Sequence, residues 1–262
     1  MSSQLISLKN LSVSFGGVRA LTDVSISVER NSVVGLIGPN GAGKTTLFNC
    51  ISGLVKSTTG TFEFEGIARP FPKPHELANL GITRTLQGVG LFNELSVIQN
   101  VMVGADKHYR ANFFRELFGL SGRVEAELRE RAEEALAWTG ASALINSKPS
   151  ELSYPDSKRV SLARALVATP KLLLLDEPAA GLGQDDIDAL AALIKEIKRR
   201  CAVLIVEHHV DFVREISDSV TVLNFGKSIA TGTYDEIKQN PAVVEAYLGN
   251  SDKNDQNSDL IA

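Results

Sequence analysis

Gly38-Pro39-Asn40-Gly41-Ala42-Gly43-Lys44-Thr45 fits the spacing G-x-x-x-x-G-K-[ST], a pattern whose residue types suit one chemistry. The glycines let backbone N–H groups turn toward a triphosphate, and the start of a helix adds a favourable dipole. Lys44 neutralises the outer phosphates, and the Thr45 hydroxyl ligates magnesium. Four fixed positions arise by chance roughly once in a hundred chains of this length. The pattern lies between an apolar strand-like run and a helix-like one, which lowers that chance further. A second constellation is Leu172-Leu173-Leu174-Leu175-Asp176-Glu177-Pro178, an apolar run ending in two acids. Alone it reads as a strand meeting solvent. Downstream of a phosphate cradle, Asp176 is expected to reach magnesium, usually through water, and Glu177 to orient or deprotonate an attacking water.

These residues need a scaffold, and the pattern of apolar positions supplies one. Strand-like runs at Leu5–Leu8, Val24–Val28 and Val33–Ile37 open the chain; Lys44–Ile51 reads as a helix and Thr61–Phe64 as another strand. From about Val97 to Thr139 the period becomes helical, with Val124, Leu128, Ala132 and Ala135 on one face and Gly140 as the stop. From Lys171 strand and helix alternate again: Leu172–Leu175, Asp185–Lys198, Ala202–Val206 and a further helix. The predicted fold is α/β, a P-loop NTPase with a sheet-rich opening, a helical insertion and a doubly wound, mostly parallel core. Residues 1–86 and 151–250 form the core, 87–150 the insertion, and 251–262 a polar, disordered tail.

Composition removes other classes. With 31 acidic against 27 basic residues and a net charge of -4, the 262-residue chain has no basic footprint for nucleic acid. No apolar run is long enough to span a bilayer, and the first residues lack an export signal. Cys50 and Cys201 fit no zinc or redox spacing and are expected to be small buried residues of a cytoplasmic protein.

The chain resembles the ABC ATPases, and within them the LivG-type subunits of branched-chain amino acid importers. Gly38 to Thr46, Arg84-Thr85-Leu86-Gln87, Asp176 to Leu182, Glu207-His208 and Asn240 to Gly249 carry the resemblance. It implies that Thr46 joins Gly38 to Thr45 in holding the nucleotide, that Phe15 stacks on adenine, that Gln87 senses magnesium and the attacking water, and that His208 hydrogen-bonds the γ-phosphate. His208 and His209 as a metal pair is the weaker reading, because adjacent side chains diverge. The resemblance also implies a P-loop NTPase fold of ABC type, with an N-terminal antiparallel β part beside the mostly parallel core and an inserted helical subdomain, as well as ATP and Mg2+ as ligands, a second ATPase subunit, transmembrane permease subunits and, indirectly, an extracytoplasmic solute-binding protein. The chain would then sit on the inner face of the membrane through the permease. In that family each ATP lies between one subunit's P-loop and the other's signature, a Leu-Ser followed by small residues and Gln.

Here the signature segment is Leu152-Ser153-Tyr154-Pro155-Asp156. Pro155 has no N–H for a phosphate, and Ser153-x-x-Asp156 is a capping-box pattern that would satisfy the helix end internally. A bare Asp156 about 4 to 6 Å from a phosphate charge would be repelled by roughly 3 to 4 kcal/mol. Gly183 is a second departure, standing where the family usually has Asp or Asn. The expectation is a heterodimer with a partner of regular signature, with a homodimer as the alternative. Two other functions stay open: a nucleotide-binding regulatory subunit, which the altered signature favours and Glu177 and His208 oppose, and a non-transport ABC ATPase. A P-loop GTPase is disfavoured by the absence of Asn-Lys-x-Asp.

Overall fold

The computed structural model describes residues 4–85, 88–105 and 121–248. Strands β1 (Gln4–Phe15), β2 (Val18–Glu29), β4 (Thr59–Phe64) and β5 (Ile67–Arg69) form an antiparallel sheet in the order β2-β1-β4-β5. β1 is far longer than the expected run. Asn10 has a positive φ, and the pairing with β2 shifts register between Leu8 and Leu11, so the apolar alternation changes phase while the strand continues.

The second sheet has the order β10-β9-β3-β8-β7-β6, built from β3 (Val33–Ile37), β6 (Ile82–Arg84), β7 (Leu172–Asp176), β8 (Ala202–Val206), β9 (Ser219–Asn224) and β10 (Lys227–Gly232). Its neighbours pair parallel except for β10 on β9. β3, β7 and β8 are buried at every position, as expected of parallel strands covered on both faces, and this explains their unbroken apolar runs.

One face of this sheet packs against the antiparallel sheet and helix α1 (Lys44–Ile51), through Leu36, Leu47, Phe48, Leu172 and Leu204 among others. The other face is covered by α5 (Tyr154–Leu166), α6 (Gln184–Lys198) and α7 (Val210–Ile216), with Leu162, Ile194 and Phe212 at the contact. Between these two stretches of chain lie a short α2 (Leu77–Leu80), α3 (Val97–Val103) and α4 (Ser121–Trp138). Leu128, Ala132, Ala135 and Leu136 of α4 pack on Val97, Ile98 and Val101 and on Val160 and Ala163 of α5. The side chain of Val124 and the tail 251–262 lie outside the described residues. Gly140, at φ 70°, ends the α4 segment as expected. Helices α8 (Tyr234–Lys238) and α9 (Pro241–Leu248) close the described chain.

Both functional segments thus sit at C-terminal ends of parallel strands, where open α/β sheets bind ligands. β3 delivers Gly38, and β7 delivers Asp176 and Glu177.

Candidate nucleotide site

The loop from Gly38 to Gly43 follows β3 and runs directly into α1. Its shape depends on Gly38, whose φ is 150° and where an added Cβ would lie 2.1 Å from the carbonyl oxygen of Leu223. No other residue type fits there. Gly43, at φ 105°, is the N-cap of α1 and offers no side chain in the way of the helix N-terminus. Lys44, the first residue of α1, is 6% exposed and donates to the carbonyl oxygens of Gly38 at 2.6 Å and Pro39 at 3.0 Å. Burial pulls its ammonium down to about 8, against the opposing charges of Glu177 and Asp176.

Asn40 to Thr46 line a cleft of about 420 Å³ together with Val18, Arg19, Ala20, Glu177, His208 and Phe225. Phe15 is not among its lining residues; it is half exposed at the end of β1 and pairs in register with Val18, which is. Phe225, 79% exposed, presents at the cleft an aromatic ring that the sequence did not single out. Gln87 and Leu86 lie outside the described residues.

Glu177 follows β7 with φ 49°, a conformation a non-glycine residue holds only where its surroundings impose it. Its N–H donates to Val206 O at 2.9 Å, and its own carbonyl accepts from Lys158 Nζ at 3.2 Å. The side chain reaches His208, with Oε1 3.2 Å from Nε2. Burial, reinforced by the charge of Lys44, lowers the His208 pKa against the pull of Glu177. A neutral imidazole donating through Nε2 suits this contact. His209 does not chelate beside it: its Nδ1 accepts from Phe212 N at 3.3 Å and caps α7.

Glu207 was noted in the sequence only beside His208. The structure shows its carboxylate, 3% exposed, accepting from the N–H groups of Ala179 at 2.7 Å, His208 at 2.9 Å and His209 at 3.3 Å. It ties the loop after Glu177 to the loop carrying His208. Burial pushes its carboxyl above the ordinary range, against these donors.

The segment Ser153 to Asp156 opens α5 and lies apart from this cleft, Pro155 lining a separate cavity of about 310 Å³. Ser153 Oγ accepts from Asp156 N at 3.2 Å, but the reciprocal half of the expected capping box is replaced: the Ser153 hydroxyl donates to Asp156 Oδ2 at 2.7 Å. Asp156 is also not a bare anion. Arg159 contacts its Oδ1 at 3.3 Å and Asp186 at 3.1 Å, so the repulsion expected from the sequence is reduced by a nearby positive charge. Tyr154 donates to Ala180 O at 3.2 Å, joining this helix start to the loop beyond Glu177. Gly183 caps α6 without a side-chain hydrogen bond.

A phosphate cradle and an acid-terminated strand on one sheet edge, with an antiparallel sheet on one side and a helical layer on the other, define a P-loop ATPase of the ABC transporter class. A family profile described as "ABC transporter" matches residues 21–180, and one described as "Branched-chain amino acid ATP-binding cassette transporter" matches 227–253. The chain is 38% identical to the high-affinity branched-chain amino acid transport ATP-binding protein BraF of Pseudomonas aeruginosa, over 95% of this chain and 99% of that protein. The same figures hold for LivG of Escherichia coli. A crystal structure of an ATP-binding cassette in its ADP conformation superposes with a TM-score of 0.82 at 31% identity, covering 95% of this chain and all of that one. The chain belongs to the LivG/BraF family of ABC transporter ATP-binding proteins.

Proposed function

We propose that this chain binds ATP with Mg2+ in the cleft over Gly38–Thr46 and hydrolyses it to power uptake of branched-chain amino acids or a similar small solute. The observation that carries the reading is the Glu177–His208 pair, 3.2 Å apart at the edge of the cleft that Lys44 and Thr45 line. The donor chemistry suits the ion: the Thr45 hydroxyl in the cleft, and the Asp176 carboxylate, which lines the neighbouring cavity but lies close enough to Lys44 to act on its charge, are hard oxygen ligands of the kind magnesium takes. Bound there, magnesium would neutralise charge on the transferring phosphoryl group. Lys44 exchanges its carbonyl partners for phosphate oxygens. Glu177 takes the proton of the attacking water or orients it, and His208, neutral at Nε2, donates toward the γ-phosphate. Gln87 senses the metal and water, and Phe15 stacks on the adenine.

In this reading residues 1–86 and 151–250 act as the catalytic core and 87–150 as the subdomain that meets transmembrane permease subunits, with an extracytoplasmic solute-binding protein beyond them. The chain then works at the inner face of the membrane; no helix among the described residues is long and apolar enough to cross it. A second reading, of weak or regulatory turnover, is favoured by Pro155 and Asp156 at the signature position. The two readings meet in a heterodimer: the P-loop face of this chain works with a partner's regular signature, and Ser153 to Asp156 serve a site that mainly binds.

The test is Glu177→Gln. ATP affinity is expected to persist while steady-state phosphate release falls to near background; turnover close to that of the natural chain would remove Glu177 from its role.

A further inference from the structure

Arg84, the last residue of β6, makes contacts that neither the fold nor the reading above requires. Its Nη2 donates to Asp176 Oδ2 at 2.8 Å, and both side chains are largely buried, 15% and 4% exposed. Its Nη1 donates to Asn49 Oδ1 at 2.7 Å and to Ser52 Oγ at 2.8 Å. The guanidinium carbon lies 5.5 Å from the centre of the Phe48 ring. Phe48 and Asn49 belong to α1, the helix that opens with Lys44 and Thr45, and Ser52 is its C-cap. Asp176 closes β7, and β6 leads within three residues to Gln87. One planar cation therefore bonds both the P-loop helix and the acid-bearing strand while standing on the segment that precedes Gln87. The fork geometry of arginine permits this; a lysine ammonium is a single point charge on a flexible stem.

From this arrangement we infer that Arg84 is the positioning residue of the magnesium site. It holds the Asp176 carboxylate by one oxygen in fixed relation to α1, so that the hold on a divalent ion, rather than on nucleotide as such, depends on it. The inference rests on the reading of Asp176 as a magnesium-facing residue. A merely structural ion pair would affect thermal stability and nucleotide binding alike; a positioning residue alters the step at which the metal enters.

The experiment compares the natural chain with Arg84→Met, Arg84→Lys, Asn49→Ala and Asp176→Asn. Titration calorimetry with a non-hydrolysable ATP analogue is run once with the metal chelated and once in Mg2+, and thermal melting is recorded for each protein. For Arg84→Met the affinity without metal is unchanged, and the gain in affinity on adding Mg2+ shrinks by about tenfold, the usual scale for losing a partner of a metal-facing carboxylate. Arg84→Lys restores part of that gain, and Asn49→Ala, which loosens the anchor on α1 but keeps the bond to Asp176, loses a smaller part. The inference is overturned if Arg84→Met keeps the full magnesium gain, or loses affinity equally with and without metal. Asp176→Asn separates the two failures. If it abolishes the gain while Arg84→Met retains it, Arg84 alone is misassigned; if it leaves the gain intact, the reading of Asp176 falls as well. Should Arg84→Met fail to fold, Arg84→Lys and Asn49→Ala carry the same comparison.

Discussion

Nucleotide affinity should fall as pH rises through the range in which Lys44 titrates. Burial places this lysine at about 8 in the free protein, even with Glu177 and Asp176 nearby. In the proposed complex, contact with phosphate charge would hold the same ammonium protonated, so that binding draws on the protonated fraction of the free protein. With a pKa of about 8 that fraction is about nine-tenths at pH 7 and one-tenth at pH 9, which weakens binding about tenfold, or ~1.4 kcal/mol. A lysine at its ordinary value near 10.4 would change affinity by only a few per cent over the same interval. The assay is calorimetric titration with a non-hydrolysable ATP analogue from pH 7 to 9, with the metal chelated so that only protein contacts count. Lys44→Arg serves as the control, since its guanidinium stays charged throughout and its affinity should be level across the range. A level profile in the natural chain, or an equal slope in Lys44→Arg, would show that Lys44 is not the titrating group.

Two further outcomes follow from the same geometry. Gly38→Ala puts a Cβ 2.1 Å from Leu223 O, and a distortion costing about 2 kcal/mol or more should lower the melting temperature by about 5 °C and abolish nucleotide binding, as calorimetry on the variant would show. Pro155→Gly combined with Asp156→Gln should raise the ATPase rate of the chain alone toward that of the chain mixed with a second ABC ATPase subunit captured with it from membranes; a chain that alone matches the mixture, with no change on the double substitution, would refute the proposed asymmetry.

The parts of the fold and site written in short stretches of sequence were legible before the structure. The cradle Gly38–Thr45 needs only local backbone geometry and fixed spacing, and the unbroken apolar runs of β3, β7 and β8 follow from burial on both faces. Interactions between distant residues were not. Arg84 and Asp176 are 92 positions apart and meet only because β6 pairs parallel with β7. Glu207 gains its role from Ala179, 28 positions earlier, through parallel pairing of β7 and β8. Asp156 read as an exposed charge because its neutralising contact with Arg159, one helical turn on, is shared with Asp186, which only the packing of α5 on α6 brings close. β1 was read short because a register shift reverses its alternation without ending its hydrogen bonding.

The central claim is that ATP is held over Gly38–Thr46 with Glu177 and His208 at its terminal phosphate and a partner's signature closing the site. The decisive measurement is the structure of the Glu177→Gln chain with ATP and Mg2+, in complex with a second ABC ATPase subunit captured with it from membranes. The expected result is a triphosphate along the backbone of Gly38–Thr46, Lys44 moved from the carbonyls of Gly38 and Pro39 onto phosphate oxygens, Asp176 and Thr45 beside the metal, and His208 at the γ-phosphate. Nucleotide bound elsewhere, or a triphosphate in the cleft with His208 and residue 177 turned away from it, would rule out this role for the pair.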